Sequence, residues 1–265
     1  MAKKAKPQIF PSPSGKGAAK TFPSLPGKRA TQTLPSPSGR EAGGEGNSSA
    51  VHSAPVGISP HAPEYWQSAC AQLAAADPVI ATLIAHYPDA ILANRGDPFQ
   101  TLLRAIVGQQ ISVKAADSIW ARFATLVGEL NPQRVADLDP DALAACGFSR
   151  RKVEYVQDLA RHFLDGRIDP TRWTHEDDET VINELIDVRG IGRWTAEMFL
   201  IFYLRRADVW PVDDIGLQKA VALHYRAGER PTPKQLRKIG EQFAPWRTVA
   251  TWYLWRSLDP VTVQY

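Results

Sequence analysis

The sequence predicts an all-α fold behind a disordered tail, and three observations carry that reading. From about residue 60 onward, apolar side chains recur at helical spacing, with proline, aspartate or serine at the segment starts. No run alternates apolar and polar residues for long enough to require a sheet. The first 55 or so residues are instead rich in Pro, Gly, Ser and Lys and hold little that could form a core.

The helical segments follow in order. Pro63 opens a helix running to Ala76, and Pro78 stands ahead of a second over Val79–His86, which stops near Pro88. Pro98 begins a third, with Leu102, Leu103, Ile106 and Val107 on one face, and Gly108-Gln109-Gln110-Ile111 interrupts it. Ser112 reads as the N-cap of a helix from Val113 to about Leu126. Further helices are expected over Ala136–Asp139, Pro140–Cys146, Arg150–Asp165, Glu179–Val188, Arg193–Leu204, Asp214–His224, Thr232–Phe243 and Trp246–Ser257.

Ahead of them, residues 1–56 carry an imperfect repeat at a period of twelve, beginning at Phe10, Phe22 and Leu34. Units this short and this rich in Pro and Gly cannot build a solenoid, so the segment reads as a flexible leader. A cationic arm that raises affinity for phosphate backbones is the sharper alternative. The charge supports neither reading for the rest of the chain. Eight lysines and arginines precede residue 56 against Glu41 and Glu45, whereas the remaining 210 residues hold 23 basic and 26 acidic groups. The overall +3 therefore belongs to the tail, and a nucleic-acid partner has to be argued from motifs.

At 265 residues the chain is long enough for one large or two small domains. No stretch approaches the roughly 18 consecutive apolar residues of a membrane span, and the basic start lacks the apolar core of a secretory signal. Cys70 and Cys146 are the two cysteines. Nothing pairs them, so the expectation is a reduced, cytoplasmic protein without disulfides or a cysteine metal site.

Two motifs point to chemistry. In Leu185-Ile-Asp-Val188-Arg-Gly190-Ile191-Gly192-Arg193-Trp194-Thr195-Ala196 two glycines bracket a β-branched residue between two helices. Glycines there allow left-handed backbone angles, Ile191 plugs the turn, and the N–H groups from Gly190 through the start of the second helix point outward together. With Val188, Arg193 and Thr195 they form a candidate phosphate site at a helix N-terminus. About twenty residues on, Val209-Trp210-Pro211-Val212-Asp213-Asp214 places two carboxylates at the start of a helix, where either one alone is an ordinary cap.

Taken together, these motifs resemble the helix-hairpin-helix DNA glycosylase superfamily. The likeness covers nearly all of the chain after the tail and lies nearest the 3-methyladenine DNA glycosylase II branch. It rests on Leu103–Ala116, the Gly190–Ala196 hairpin with Pro211–Asp214, and Pro245–Trp255. What it implies is two helical subdomains around a DNA-facing cleft, one of residues 57–97 with 207–265 and one of residues 98–206. Asp214 then becomes the catalytic carboxylate, with Asp213 capping the helix or holding the loop. Trp194, Met198 and Trp255 line the base pocket, and Gln110 is the wedge that fills the gap left by a flipped nucleotide. Gln110 and Met198 depart from the branch, which has leucine and tyrosine at those positions. Gly147, Ser149 and Lys152 also fit it, as phosphate contacts or as a helix cap.

The same resemblance implies a monomeric enzyme acting on damaged double-stranded DNA, with no membrane and no obligate protein partner. It carries no cofactor, although a monovalent cation at the hairpin is compatible with it. Members that also cut the strand carry a lysine two residues after the second hairpin glycine, where this chain has Trp194, and iron–sulfur members need cysteines that do not follow Cys146 here. The expected activity is excision of alkylated purines that leaves an uncut abasic site. The alternatives are a glycosylase for another damaged base and a DNA-binding module without catalysis.

Overall fold

The computed structural model describes residues 62–88, 92 and 96–258. The expected tail, residues 1–56, lies outside them. The described residues are all-helical: α1 (Trp66–Ala76), α2 (Pro78–His86), α3 (Pro98–Gly108), α4 (Val113–Val127), α5 (Pro132–Ala136), α6 (Pro140–Ala145), α7 (Arg150–Leu164), α8 (Asp178–Ile186), α9 (Arg193–Phe202), α10 (Ile215–Tyr225), α11 (Pro233–Gly240) and α12 (Arg247–Leu258), with a 3₁₀ turn at Glu241–Phe243. None is long and apolar enough to cross a membrane.

Local chemistry sets most of the starts. The side chains of Asp77, Asp97, Ser112, Asn131, Ser149, Asp177, Asp214 and Thr232 each accept a backbone N–H three residues on, satisfying a donor that the helix leaves open. Proline occupies the first turn of α2, α3, α5, α6 and α11, where it costs no hydrogen bond. Two expectations are corrected by these rules. The helix expected at Ala136–Asp139 lies earlier, because Asn131 caps Arg134 N at 2.9 Å and Pro132 opens the turn. The helix expected over Thr232–Phe243 ends at Gly240 and tightens into the 3₁₀ turn.

The helices pack in two groups. α7 takes α3, α5 and α6 against it, with α4 and α9 on α3 and α8 on α9. α12 packs on α1, α2 and α10. One continuous core runs through both groups, from Trp66 and Ile80 through Phe99, Phe123 and Trp173 to Tyr253.

The segment joining α9 to α10 is tied to both sides. Arg206 donates to the carbonyls of Trp173 (2.5 Å) and Glu176 (2.8 Å), and its own carbonyl accepts from Thr248 Oγ1 at 2.6 Å. Asp208 takes a bidentate pair from Arg247 at 2.6 and 2.7 Å, and Tyr65 donates to the Arg205 carbonyl at 2.8 Å. Trp210 then packs into the second group and donates to the Leu236 carbonyl at 2.9 Å.

That tryptophan explains Gly240. A Cβ there would lie 2.6–2.8 Å from the Trp210 ring, too close for any relaxed contact. Helix propensity alone favours alanine over glycine by about 1 kcal/mol, but overpacking a filled site costs roughly 1–3 kcal/mol. Gly240→Ala is therefore expected to lower the midpoint of thermal unfolding. An unchanged or raised midpoint would show that the ring is free to slide.

Candidate active site

The turn between α8 and α9 is closed by the Ile191 N–H donating to the Val188 carbonyl at 3.1 Å. Val188 and Ile191, 1% and 4% exposed, anchor it to the core. Gly190 has φ +85°, and a Cβ would stand 2.2 Å from the Tyr155 ring of α7, so both backbone and packing require glycine. Gly192 corrects the expectation of left-handed angles at both glycines. It is the cap residue of α9, with extended angles (φ −96°, ψ 169°) and open space where a Cβ would sit. No side chain caps α9. Its first-turn N–H groups start at an exposed edge formed by Gly192 and Arg193, with Thr195 half-buried. The guanidinium of Arg193 is engaged, forming a bidentate pair with Glu179 and a 3.1 Å bond to Glu197.

Asp214 lies at the start of α10 and is 7% exposed. Three donors from three helices hold its carboxylate. Trp194 Nε1 of α9 reaches Oδ2 at 2.9 Å. Trp255 Nε1 of α12 and the Leu217 N–H of α10 reach Oδ1 at 2.7 and 2.6 Å. Asp214 is therefore itself the cap, and the capping role expected of Asp213 is corrected: Asp213 is exposed. The preceding turn is held by Gln218, which donates to the Val212 carbonyl at 2.8 Å and accepts from Arg230 at 2.9 and 2.5 Å.

Trp194, Met198 and Phe202 recur at every fourth residue of α9 and so share a face. Trp194 and Phe202 are half-buried, and Met198, at 6% exposed, belongs to the core. Trp255 stacks on Phe202, with ring centroids 5.9 Å apart and planes 10° apart. Gln110 is elsewhere, exposed in the α3–α4 turn with φ +60°. Ser149 caps α7, and Lys152 Nζ donates to the carbonyls of Val107 and Gln109.

Three residues of this region are absent from the motif reading. Phe202 was detectable as the continuation of the Trp194–Met198 spacing. Gly216 was not: a Cβ there would lie 3.0 Å from Asp214 Oδ1 and 3.1 Å from the Trp255 ring, so glycine lets indole and carboxylate meet. Glu197 was signalled only by an acid inside Ala196-Glu-Met-Phe-Leu-Ile. It is 6% exposed, and burial pushes its carboxyl up to about 7 against the opposing pull of Arg193. Among the described residues no three His, Cys, Asp or Glu side chains are grouped to hold a metal ion. Chemically, the site offers a fixed carboxylate beside indole faces, with an uncapped helix N-terminus on the adjoining turn.

Comparison with known proteins follows the same motifs. The HhH-GPD superfamily, described as base excision DNA repair proteins, matches residues 103–245. DNA-3-methyladenine glycosylase 1 of Schizosaccharomyces pombe is 37% identical over 180 residues, covering 66% of this chain and 78% of the relative. The crystal structure of a DNA-3-methyladenine glycosidase from Bacillus halodurans superposes with a TM-score of 0.62 at 37% identity, over 69% of this chain and 90% of that one. The S. pombe 3-methyladenine DNA glycosylase Mag1, in complex with abasic DNA, superposes with a TM-score of 0.62 at 32% identity, over 74% of this chain and 100% of that one.

Glu197 supplies a test that needs no substrate. Its carboxyl holds a proton more tightly in the folded chain than in the unfolded one. Its contribution is therefore most favourable below the unfolded value and is lost as pH rises toward about 7. Glu197→Gln removes that titration. The melting temperature of the variant minus that of the parent should rise by a few degrees between pH 5 and pH 8. A difference that stays flat across that range would rule out the shifted acid.

Proposed function

The chain belongs to the HhH-GPD superfamily of base excision DNA repair proteins, and on that premise we propose that it is a monofunctional glycosylase that excises 3-methyladenine-type purines from double-stranded DNA, with Asp214 as the catalytic carboxylate. The observation that carries the proposal is the Asp214 carboxylate held by Trp194, Trp255 and the Leu217 N–H.

Breaking the base–sugar bond leaves positive, oxocarbenium-like charge on the deoxyribose. A carboxylate already fixed in place stabilises that charge without reorganising as it forms. An N-alkylated purine carries a positive charge, so it takes the bonding electrons and leaves as the neutral base with no proton donor. Water then adds to the sugar and gives up its proton, leaving an abasic site. The indole faces of Trp194 and Trp255, with Met198 on the same face of α9 as Trp194, suit a cationic purine through cation–π attraction worth roughly 0.5–2 kcal/mol. Trp194 occupies the position of the lysine in strand-cutting members. No side chain there can form a Schiff base, so the strand stays intact.

The α9 N-terminus takes a backbone phosphate on its uncapped N–H groups, and the open space at Gly192 admits it. Gln110, exposed and left-handed, is the wedge. Residues 57–97 with 207–265 are assigned to one subdomain and residues 98–206 to the other, with the DNA between them; the packing of α12 on α1, α2 and α10, and of α3, α5 and α6 on α7, supports that division. No cofactor is required. The carbonyls of Val188 and Gly190 already accept from the Ile191 N–H and the Gln109 amide, so a cation at the hairpin would share them, and no step is assigned to it.

The test is release of free bases from methylated duplex DNA, with the strand checked for nicks. The parent protein should free methylpurines and leave the strand whole. Asp214→Asn should bind the duplex but lose at least about 10²–10³-fold in rate, the scale of removing one preorganised electrostatic group. Release that persists in the variant would move the catalytic role elsewhere. Tight binding with no release by the parent protein would leave a binding module.

A further inference from the structure

α7 presents three side chains, spaced three residues apart, to the two loops assigned to DNA. Lys152 Nζ donates to the carbonyls of Val107 at 2.6 Å and Gln109 at 2.8 Å. Tyr155 packs where a Cβ on Gly190 would otherwise be. Asp158 Oδ2 accepts from the Arg189 N–H at 2.9 Å. A direct bridge joins the two loops, because Gln109 Nε2 donates to the Gly190 carbonyl at 2.9 Å. The chain thus forms a closed circuit of α7, the α3–α4 turn, the hairpin, and back to α7.

The circuit encloses a strained residue. Gln110 holds φ +60° at an exposed tip, a left-handed conformation that is unfavourable for a non-glycine residue and persists where its surroundings impose it. Its predecessor is pinned twice, at the carbonyl by Lys152 and at the side chain by the hairpin. The α3 C-terminus also collects carbonyls without helical partners, a setting that favours an ammonium. Lys152 has given up water to sit there, and that desolvation lowers its pKa.

We propose that Lys152 is a positioning residue for duplex opening: with Gln109, it locks the Gln110 turn to the phosphate-binding hairpin. Gripping a phosphate at the hairpin then fixes where Gln110 enters the base stack. This rests on the glycosylase reading above. It also separates two demands on the protein. Cleaving the bond needs the Asp214 site, which Lys152 does not touch, whereas extruding a base from a duplex needs both loops in register.

The experiment compares one alkylated purine placed in a duplex and in the matching single strand, under single turnover. Lys152→Met keeps the length of the stem and removes the ammonium. Its rate on the duplex should fall at least tenfold further than its rate on the single strand, and Lys152→Arg should recover part of the difference. Equal losses on the two substrates, or no loss on either, would overturn the proposal. Gln109→Leu cuts the bridge from the other end and serves if Lys152→Met does not fold. The two losses should combine to less than their product, because both break one circuit. 2-Aminopurine fluorescence beside the lesion reads base extrusion without catalysis. A parent protein that opens the duplex yet frees no base would defeat the glycosylase reading, and the lock would still be judged on the extrusion signal. An extrusion signal unchanged in both variants would overturn it.

Discussion

Three donors from three helices converge on one carboxylate, and most of the architecture can be understood as the means of bringing them there. Trp194, Trp255 and the Leu217 N–H are far apart in the chain, and each is set by a different constraint. Trp194 depends on where the hairpin ends and α9 starts. Trp255 depends on α12 docking against α10 and on its stack with Phe202. The Leu217 N–H depends on Asp214 capping its own helix. A shift in any of these would leave a buried, half-exposed or unpaired polar group beside the acid, and such groups are costly to leave unsatisfied. The ties on the α9–α10 connection hold these constraints together, because Arg206, Asp208 and Thr248 link it to both helix groups.

Helix starts were readable from the sequence because capping is local: an Asp, Asn, Ser or Thr followed by a proline or an apolar period settles most of them within a few residues. α5 starts earlier than the apolar spacing of Ala136 and Leu138 suggests, because the Asn131-Pro132 cap and first turn are the stronger local signal. Asp214, Trp194 and Trp255 could each be singled out from motifs, yet their mutual contact could not, since Trp255 lies 41 residues from Asp214. For the same reason Gly216 had no visible purpose. The roles of Asp213 and Gly192 were misassigned where one residue decides between two turn geometries, and residue type alone does not settle that choice. Glu197 was the hardest to read. An acid within an apolar run is a signal of something, but only its burial explains the raised carboxyl, with Arg193 pulling in the opposite direction.

α7 does for the loops what the connection does for the acid. Both are rigid elements whose side chains fix segments that would otherwise have no reason to keep their geometry. In one case the fixed object is a carboxylate, in the other a left-handed residue at a surface tip. The protein thus keeps the Asp214 carboxylate and the left-handed Gln110 turn each beside a helix rather than on a long loop. Precise sites are best built on such elements.

The pairing of Arg193 has a further consequence. With its guanidinium shared between Glu179 and Glu197, and with acidic groups outnumbering basic ones after the tail, the hairpin of the proposed function would meet a phosphate through peptide dipoles rather than through the Arg193 cation. Dipoles displace few of the counterions condensed on DNA, so such a grip gains little from their release and is correspondingly insensitive to ionic strength. It is also short-ranged. Under the proposed function, the hairpin therefore adds to the hold on DNA only once the α9 N-terminus is seated on the backbone, and long-range attraction is left to charges elsewhere in the chain.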